Sequence, residues 1–186
     1  MKKLILIYVL IFLLYSQLFA QGVSISIKGG FDYNFITAGA FKHVGYEKNK
    51  YLFTGYIVGI GFISDDGALD FEFADLKAKG KLNGNDTDLK LSIFTISLLI
   101  GSFSSLPLAG GIRADLGIGF SSRNVYGSMS IGPEFNFFLA RNFGFFVAGL
   151  LNLGFISQSA EINDIPEISS GLSSGPEIKT GIRLVF

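Results

Sequence analysis

Reading back from Phe186, every second residue is apolar or neutral: Leu184, Ile182, Thr180, Ile178. Arg183, Lys179 and Glu177 fall between them. Successive side chains of a strand point to opposite faces, so such a segment is apolar on one side and ionic on the other. Two faces of such different character need two different surroundings. That requirement limits the fold more than any single motif does, because the same period recurs along most of the chain.

Val23, Ile25, Ile27, Phe31, Tyr33 and Phe35 alternate with Ser24, Ser26, Lys28, Asp32 and Asn34. Over 51–62, Tyr56, Val58, Ile60 and Phe62 oppose Gly55, Ile57, Gly59 and Gly61. A third run sets Leu69, Phe71 and Phe73 against Asp70 and Glu72. A fourth puts Leu89, Leu91 and Ile93 on the apolar face and Lys90 and Ser92 on the ionic one. Its later part, 94–100, is apolar on both faces, which leaves its register open and allows a bulge. The fifth carries Ile112, Leu116 and Ile118 against Arg113 and Asp115, and the sixth Ile131, Pro133 and Phe135 against Glu134 and Asn136. The seventh sets Phe145, Val147 and Leu151 against Phe146, Ala148 and Asn152, and the terminal run is the eighth. Pro133 lacks an N–H and sits awkwardly in a strand paired on both sides.

Each run is near the ~9–11 residues that cross a bilayer at a tilt. Polar connections over 38–50, 77–88, 121–127 and 157–175 alternate with short ones near 64–67, 101–107 and 140–142. An even strand count with long and short connections in turn is the pattern of an up-and-down barrel. In hydrocarbon such a sheet has to close, because an open edge leaves N–H and C=O groups unpaired.

The chain opens with Met1-Lys2-Lys3 and an unbroken apolar run from Leu4 to Tyr15. That run is shorter than the ~20 residues of a spanning helix, and Ala20 suits the position before a signal-peptidase cut. Residues 1–20 are expected to be a cleaved export signal and Gln21 the mature N-terminus. The absence of cysteine excludes a disulfide-stapled module and a lipoprotein anchored through an N-terminal cysteine. Without Lys2 and Lys3 the balance is 13 basic against 15 acidic residues, so no basic excess exists to neutralise a nucleic acid. The 24 glycines, 20 phenylalanines and mean hydropathy of +0.48 belong with closely packed strands that show rings to lipid.

The ionic face is expected to gather Lys28, Lys90, Arg113, Lys179 and Arg183 with Asp32, Asp70, Glu72, Asp115, Glu134 and Glu177. Eight strands enclose a bore that side chains just fill, and charges confined there have to pair. Two readings stand: an interior network that plugs the barrel, or a narrow path for ions or small solutes lined by the same groups.

The connections offer less. His43, with Glu47 nearby, has no serine placed beside it, so no catalytic residue is expected. The acids Glu161, Asp164, Glu167, Asp86 and Asp88 match no calcium loop, and no metal or cofactor is expected. Lys42, Lys48, Lys50, Lys77, Lys79 and Lys81 are open to two readings, contacts with phosphates of an outer-leaflet glycolipid or ordinary solubilising charge. Tyr33, Phe35, Tyr51, Tyr56, Phe120 and Phe155 are expected at the outer rim, and Phe62, Phe143, Phe145 and Phe186 at the inner one.

With these features the chain resembles the small eight-stranded outer-membrane barrels, namely the transmembrane domain of outer-membrane protein A and its single-domain relatives. The resemblance covers 21–186 and implies an all-β, antiparallel up-and-down transmembrane β-barrel in the outer membrane of a Gram-negative-type bacterium. It implies that Ile178, Thr180, Ile182, Leu184 and Phe186 are the signal read by the barrel-assembly machinery. Outer-membrane lipid is the other implied partner, and the outer connections are placed to meet a host or surface ligand. No cell-wall-binding domain is expected after the barrel. A non-enzymatic barrel serving surface interaction or envelope integrity is the leading expectation. A narrow channel and a soluble, secreted lipocalin-like ligand carrier are the alternatives.

Overall fold

The computed structural model describes residues 22–43, 45–103, 107–120, 124–162 and 165–186, with side chains except at 124, 158–162 and 165–169. The alternating runs are strands β1 (Ser24–Ala38), β2 (Lys50–Ser64), β3 (Gly67–Leu82), β4 (Asn85–Ser102), β5 (Leu108–Phe120), β6 (Asn124–Ala140), β7 (Phe143–Ile162) and β8 (Ile165–Val185). One short helical turn, α1 (Ala40–His43), follows β1. Each strand pairs antiparallel with the next, and β1 pairs with β8 to close an eight-stranded barrel. The closing seam runs from Ser26↔Val185 through Asn34↔Glu177 to Ala38↔Ser173. The proposed export signal lies outside the described residues.

The strands are longer than the expected crossing length, from 13 residues in β5 to 21 in β8. Much of the surplus lies on the side of the long connections. The segment expected as a polar loop over 77–88 is instead a ladder that continues to Leu82↔Asn85. It turns on Asn83 and Gly84 at φ of 50° and 82°, the two left-handed positions that an Asn-Gly hairpin turn supplies. Likewise β7 and β8 pair as far as Ile162↔Ile165, where a long polar connection was expected. The first connection is tied to this upper wall by a bridge between Tyr46 and Leu82.

β4 departs from its expected orientation. Leu89, Leu91 and Ile93 point inward and are buried, while Lys90 is exposed on the outer face. The register of β3 with β4 is continuous, without a bulge. A register shift occurs elsewhere, between Phe138 and Ala140 on β6. Pro133 stands on the outer face of the same strand, paired with Ile112 of β5. Its ladder to β7 lacks rungs between Ile131↔Leu151 and Glu134↔Ala148, and the register resumes unchanged.

The outer surface is an apolar belt. More than thirty large hydrophobic side chains of the described residues are exposed on it, among them Phe31, Phe71, Phe94, Leu116, Ile131 and Leu151. A soluble monomer seldom shows a contiguous apolar patch above a few hundred Å². A belt around a closed barrel, with charges inside, is the arrangement of a protein whose outer solvent is lipid. It is the inverse of a soluble ligand-carrying barrel.

Candidate functional site: the charged lumen

Ten of the eleven sequence-selected charged residues point into the bore and are buried: Lys28 and Asp32 from β1, Asp70 and Glu72 from β3, Arg113 and Asp115 from β5, Glu134 from β6, and Glu177, Lys179 and Arg183 from β8. Lys90 is the exception, because β4 turns it outward. The buried set is therefore four bases and six acids, rather than five and six.

Arg113 is the hub. Its Nη2 donates to Glu72 at 2.6 Å and to Ser97 Oγ at 2.7 Å. Its Nη1 donates to Glu134 at 2.7 Å, and its Nε to Asp115 at 2.7 Å. Lys28 Nζ reaches Asp70, Glu72 and Glu134 at 2.9, 3.1 and 3.2 Å. Lys179 Nζ reaches Asp115, Glu72 and Glu177 at 2.8, 3.2 and 3.4 Å. Arg183 Nη2 holds Asp70 at 2.6 Å and Glu134 at 3.2 Å. Glu72 and Glu134 each serve three cations, so the pairs form one lattice across the bore.

Local sequence makes room for it. Gly59 and Gly61 of β2 lie opposite Glu72 and Asp70 on β3. A Cβ at Gly59 would stand 3.0 Å from Glu72 Cγ, and one at Gly61 would run into the Asp70 carboxylate. Neutral groups extend the lattice, Asn136 on the side of the short turns and Ser130 and Tyr126 on the side of the long connections. Asn136 Nδ2 donates to Glu134 at 2.9 Å, Ser130 Oγ to Glu177 at 2.9 Å, and Tyr126 OH to Asn152 at 2.8 Å. Asp32 enters no ion pair among the described residues, and its Oδ1 has no hydrogen-bond partner in the protein.

Apolar groups close in above and below. On the outer side the bore is filled by a cluster that includes Ile36, Phe53, Leu76, Leu89, Leu91 and Ile93. Phe41 of α1 is folded in over it and is wholly buried. Phe41, Tyr46 and Tyr51 meet edge to face, with ring centroids 5.0 to 6.0 Å apart. On the opposite side Ile63, Ala68, Leu99, Phe103, Ala109 and Phe138 form a second cluster. Cations touch both: Lys28 Nζ lies 4.4 Å from the Phe146 ring centroid, and the Arg183 guanidinium 5.6 Å from that of Phe103.

No protein-family model matches the sequence, and no curated protein is similar to it. Solved structures are. The neisserial surface protein A superposes with a TM-score of 0.54 at 13% identity, over 89% of this chain and 99% of that one. The outer-membrane protein OprG of Pseudomonas aeruginosa superposes with a TM-score of 0.52 at 14% identity, over 89% of this chain and 97% of that one. The chain has the fold of the small outer-membrane barrels.

Within that barrel, Ile178, Ile182 and Phe186 face outward as the alternation requires, and Thr180 and Leu184 are half-buried on the same side. Tyr51, expected in the outer aromatic rim, points inward and belongs to the outer cluster. Tyr33, Phe35, Tyr56, Phe120 and Phe155 are exposed on the outside. His43 is exposed on α1, away from the lattice. Glu161, Asp164 and Glu167 lie outside the residues whose side chains are described. The sequence reading missed the apolar clusters altogether. Their signals in the sequence are the stretch at 94–100 that is apolar on both faces and supplies Leu99, the inward-face Ile57 and Phe146, and Phe41 and Tyr46, two large rings in a connection otherwise rich in charge.

Proposed function

We propose that this protein is a non-enzymatic barrel of the outer membrane whose bore is closed and whose outer hairpins make its functional contacts. The observation that carries this reading is the buried lattice around Arg113, held between an outer and an inner apolar cluster. An ion moving through the bore would have to part Phe41, Tyr46 and Tyr51, cross a buried layer of interlocked ion pairs, and then pass Phe103 and Phe138. Breaking a buried ion pair on one side costs several kcal/mol, so the layer acts as a fixed partition rather than a conducting filter. The likeness of fold and the apolar belt support the outer membrane as its site. The terminal strand supports entry through the barrel-assembly machinery.

Conductance across planar bilayers tests the reading. The refolded protein is expected to give no discrete channel steps. Regular steps that disappear when Arg113 or Glu134 is neutralised would establish the narrow-channel alternative in its place.

A further inference from the structure

The outer faces of β2, β3 and β4 continue above the apolar belt as a ladder of rungs. From the belt upward these are Val58–Phe73–Phe94, then Tyr56–Asp75–Ser92, then Thr54–Lys77–Lys90. Above them Lys79 stands opposite Asp88, and Lys81 opposite Asp86. Each upper lysine thus faces an acid, whereas Lys77 faces Lys90. Like charges directly opposite on antiparallel strands repel. Neither lysine takes part in an ion pair among the described residues. The acid one rung below, Asp75, accepts the hydroxyls of Ser92 at 3.3 Å and Tyr56 at 3.5 Å.

The height of this rung is informative. The Phe73–Phe94 ring pair, 5.1 Å between centroids, marks the upper belt. Two rungs are four residues, ~13 Å along a strand and ~10 Å in height at the usual barrel tilt. The polar zone of a bilayer is ~5–8 Å deep on each side. The backbone of the lysine rung therefore stands at the outer edge of the headgroup zone, and the long lysine side chains on this lipid-facing wall reach down into it. Beneath it a depression of about 480 Å³ opens in the belt, walled by Phe71, Phe94, Ile96, Leu116 and Ile118 and floored at Gly117. Above it a cleft of about 230 Å³ is lined by Lys48, Lys79 and Lys81 together with Glu47 and Asp86, a mixed lining suited to hydroxyl-rich groups.

We propose that Lys77 and Lys90 are the seat for a phosphate of a phosphorylated glycolipid in the outer leaflet. An acyl chain fills the depression below, and sugar hydroxyls meet the cleft above. The two ammonium groups share one dianionic phosphate, and the repulsion across the rung becomes a bridge. A soluble phosphate ion would use the lysines but leave the depression unexplained.

The inference rests on the outer face lying in a bilayer. Insertion into plain phosphatidylcholine vesicles, with heat-modifiable gel mobility, checks that separately. The test is a titration of the folded barrel in detergent with labelled lipid A carrying both phosphates. Lys77→Gln combined with Lys90→Gln is expected to weaken binding about thirtyfold, at roughly fivefold per lysine. Lys42→Gln, exposed on α1, is expected to leave it unchanged. The proposal is overturned if the double variant, shown to be folded by gel mobility, binds as the parent does. It is equally overturned if phosphate-free lipid A binds as tightly, or if inorganic phosphate displaces the lipid at comparable concentration.

Discussion

A single guanidinium, that of Arg113, satisfies three carboxylates and a hydroxyl in a place where water cannot substitute for it. Removing it leaves Glu72, Asp115 and Glu134 short of their shared counter-charge. Arg113→Met is therefore expected to cost about 3–5 kcal/mol, read as a fall in the denaturant midpoint of the barrel in lipid vesicles. Asp32 is the opposite case. It is an acid in a layer that already has more acids than bases, and it has no ion-pair partner among the described residues. Asp32→Asn is expected to change stability by less than about 1 kcal/mol, or to raise it, because an amide at this site avoids the cost of burying an unpaired charge. A loss as large as that of Arg113→Met would show that Asp32 holds the lattice together. The side of the wall on which these residues lie was legible from their spacing alone. Which acid each base would meet was not. Arg183 and Asp70 are 113 positions apart, and only closure of the whole sheet brings them to 2.6 Å.

Among the elements, the β3–β4 hairpin and α1 carry what the sequence reading did not foresee. The hairpin depends on Gly84 at φ 82°, so Gly84→Ala is expected to cost about 1–2 kcal/mol through backbone strain alone. Loss of hydrogen-exchange protection confined to the upper ladder would identify that mechanism. Phe41→Ala on α1 is expected to cost about 3 kcal/mol, as for a fully buried ring, while leaving the lower lattice protected from exchange. Why β4 was misread has a physical answer. The rule that charge goes inside and grease outside holds only in the layer of the lattice. Above that layer the bore is itself apolar, so Leu89, Leu91 and Ile93 satisfy either orientation. The residues that fix the parity are Thr95 and Ser97 lower in the strand, buried opposite Glu72 and Asp70. Phe41 and Tyr46 were obscured for a related reason, since a segment dense in lysine and glutamate reads as solvated even when two of its rings turn inward.

For the whole molecule, the outer belt is the feature to challenge directly. Leu116 is exposed midway along β5, and Leu116→Arg is expected to cost about 2–4 kcal/mol in a bilayer. The same change would be nearly neutral in a soluble barrel, so the size of the loss reports the surroundings of that face. The closing seam between β1 and β8 has a consequence of its own. The first-made strand has no second neighbour until the last-made one arrives, and Lys28 waits for Glu134, as Glu72 does for Lys179, across more than a hundred intervening positions. A partly emerged chain therefore holds naked edges and unmatched ions together, and nothing short of the finished ring is fit for hydrocarbon. Such a polypeptide has to be kept soluble and unstructured through its journey and then delivered in one cooperative event.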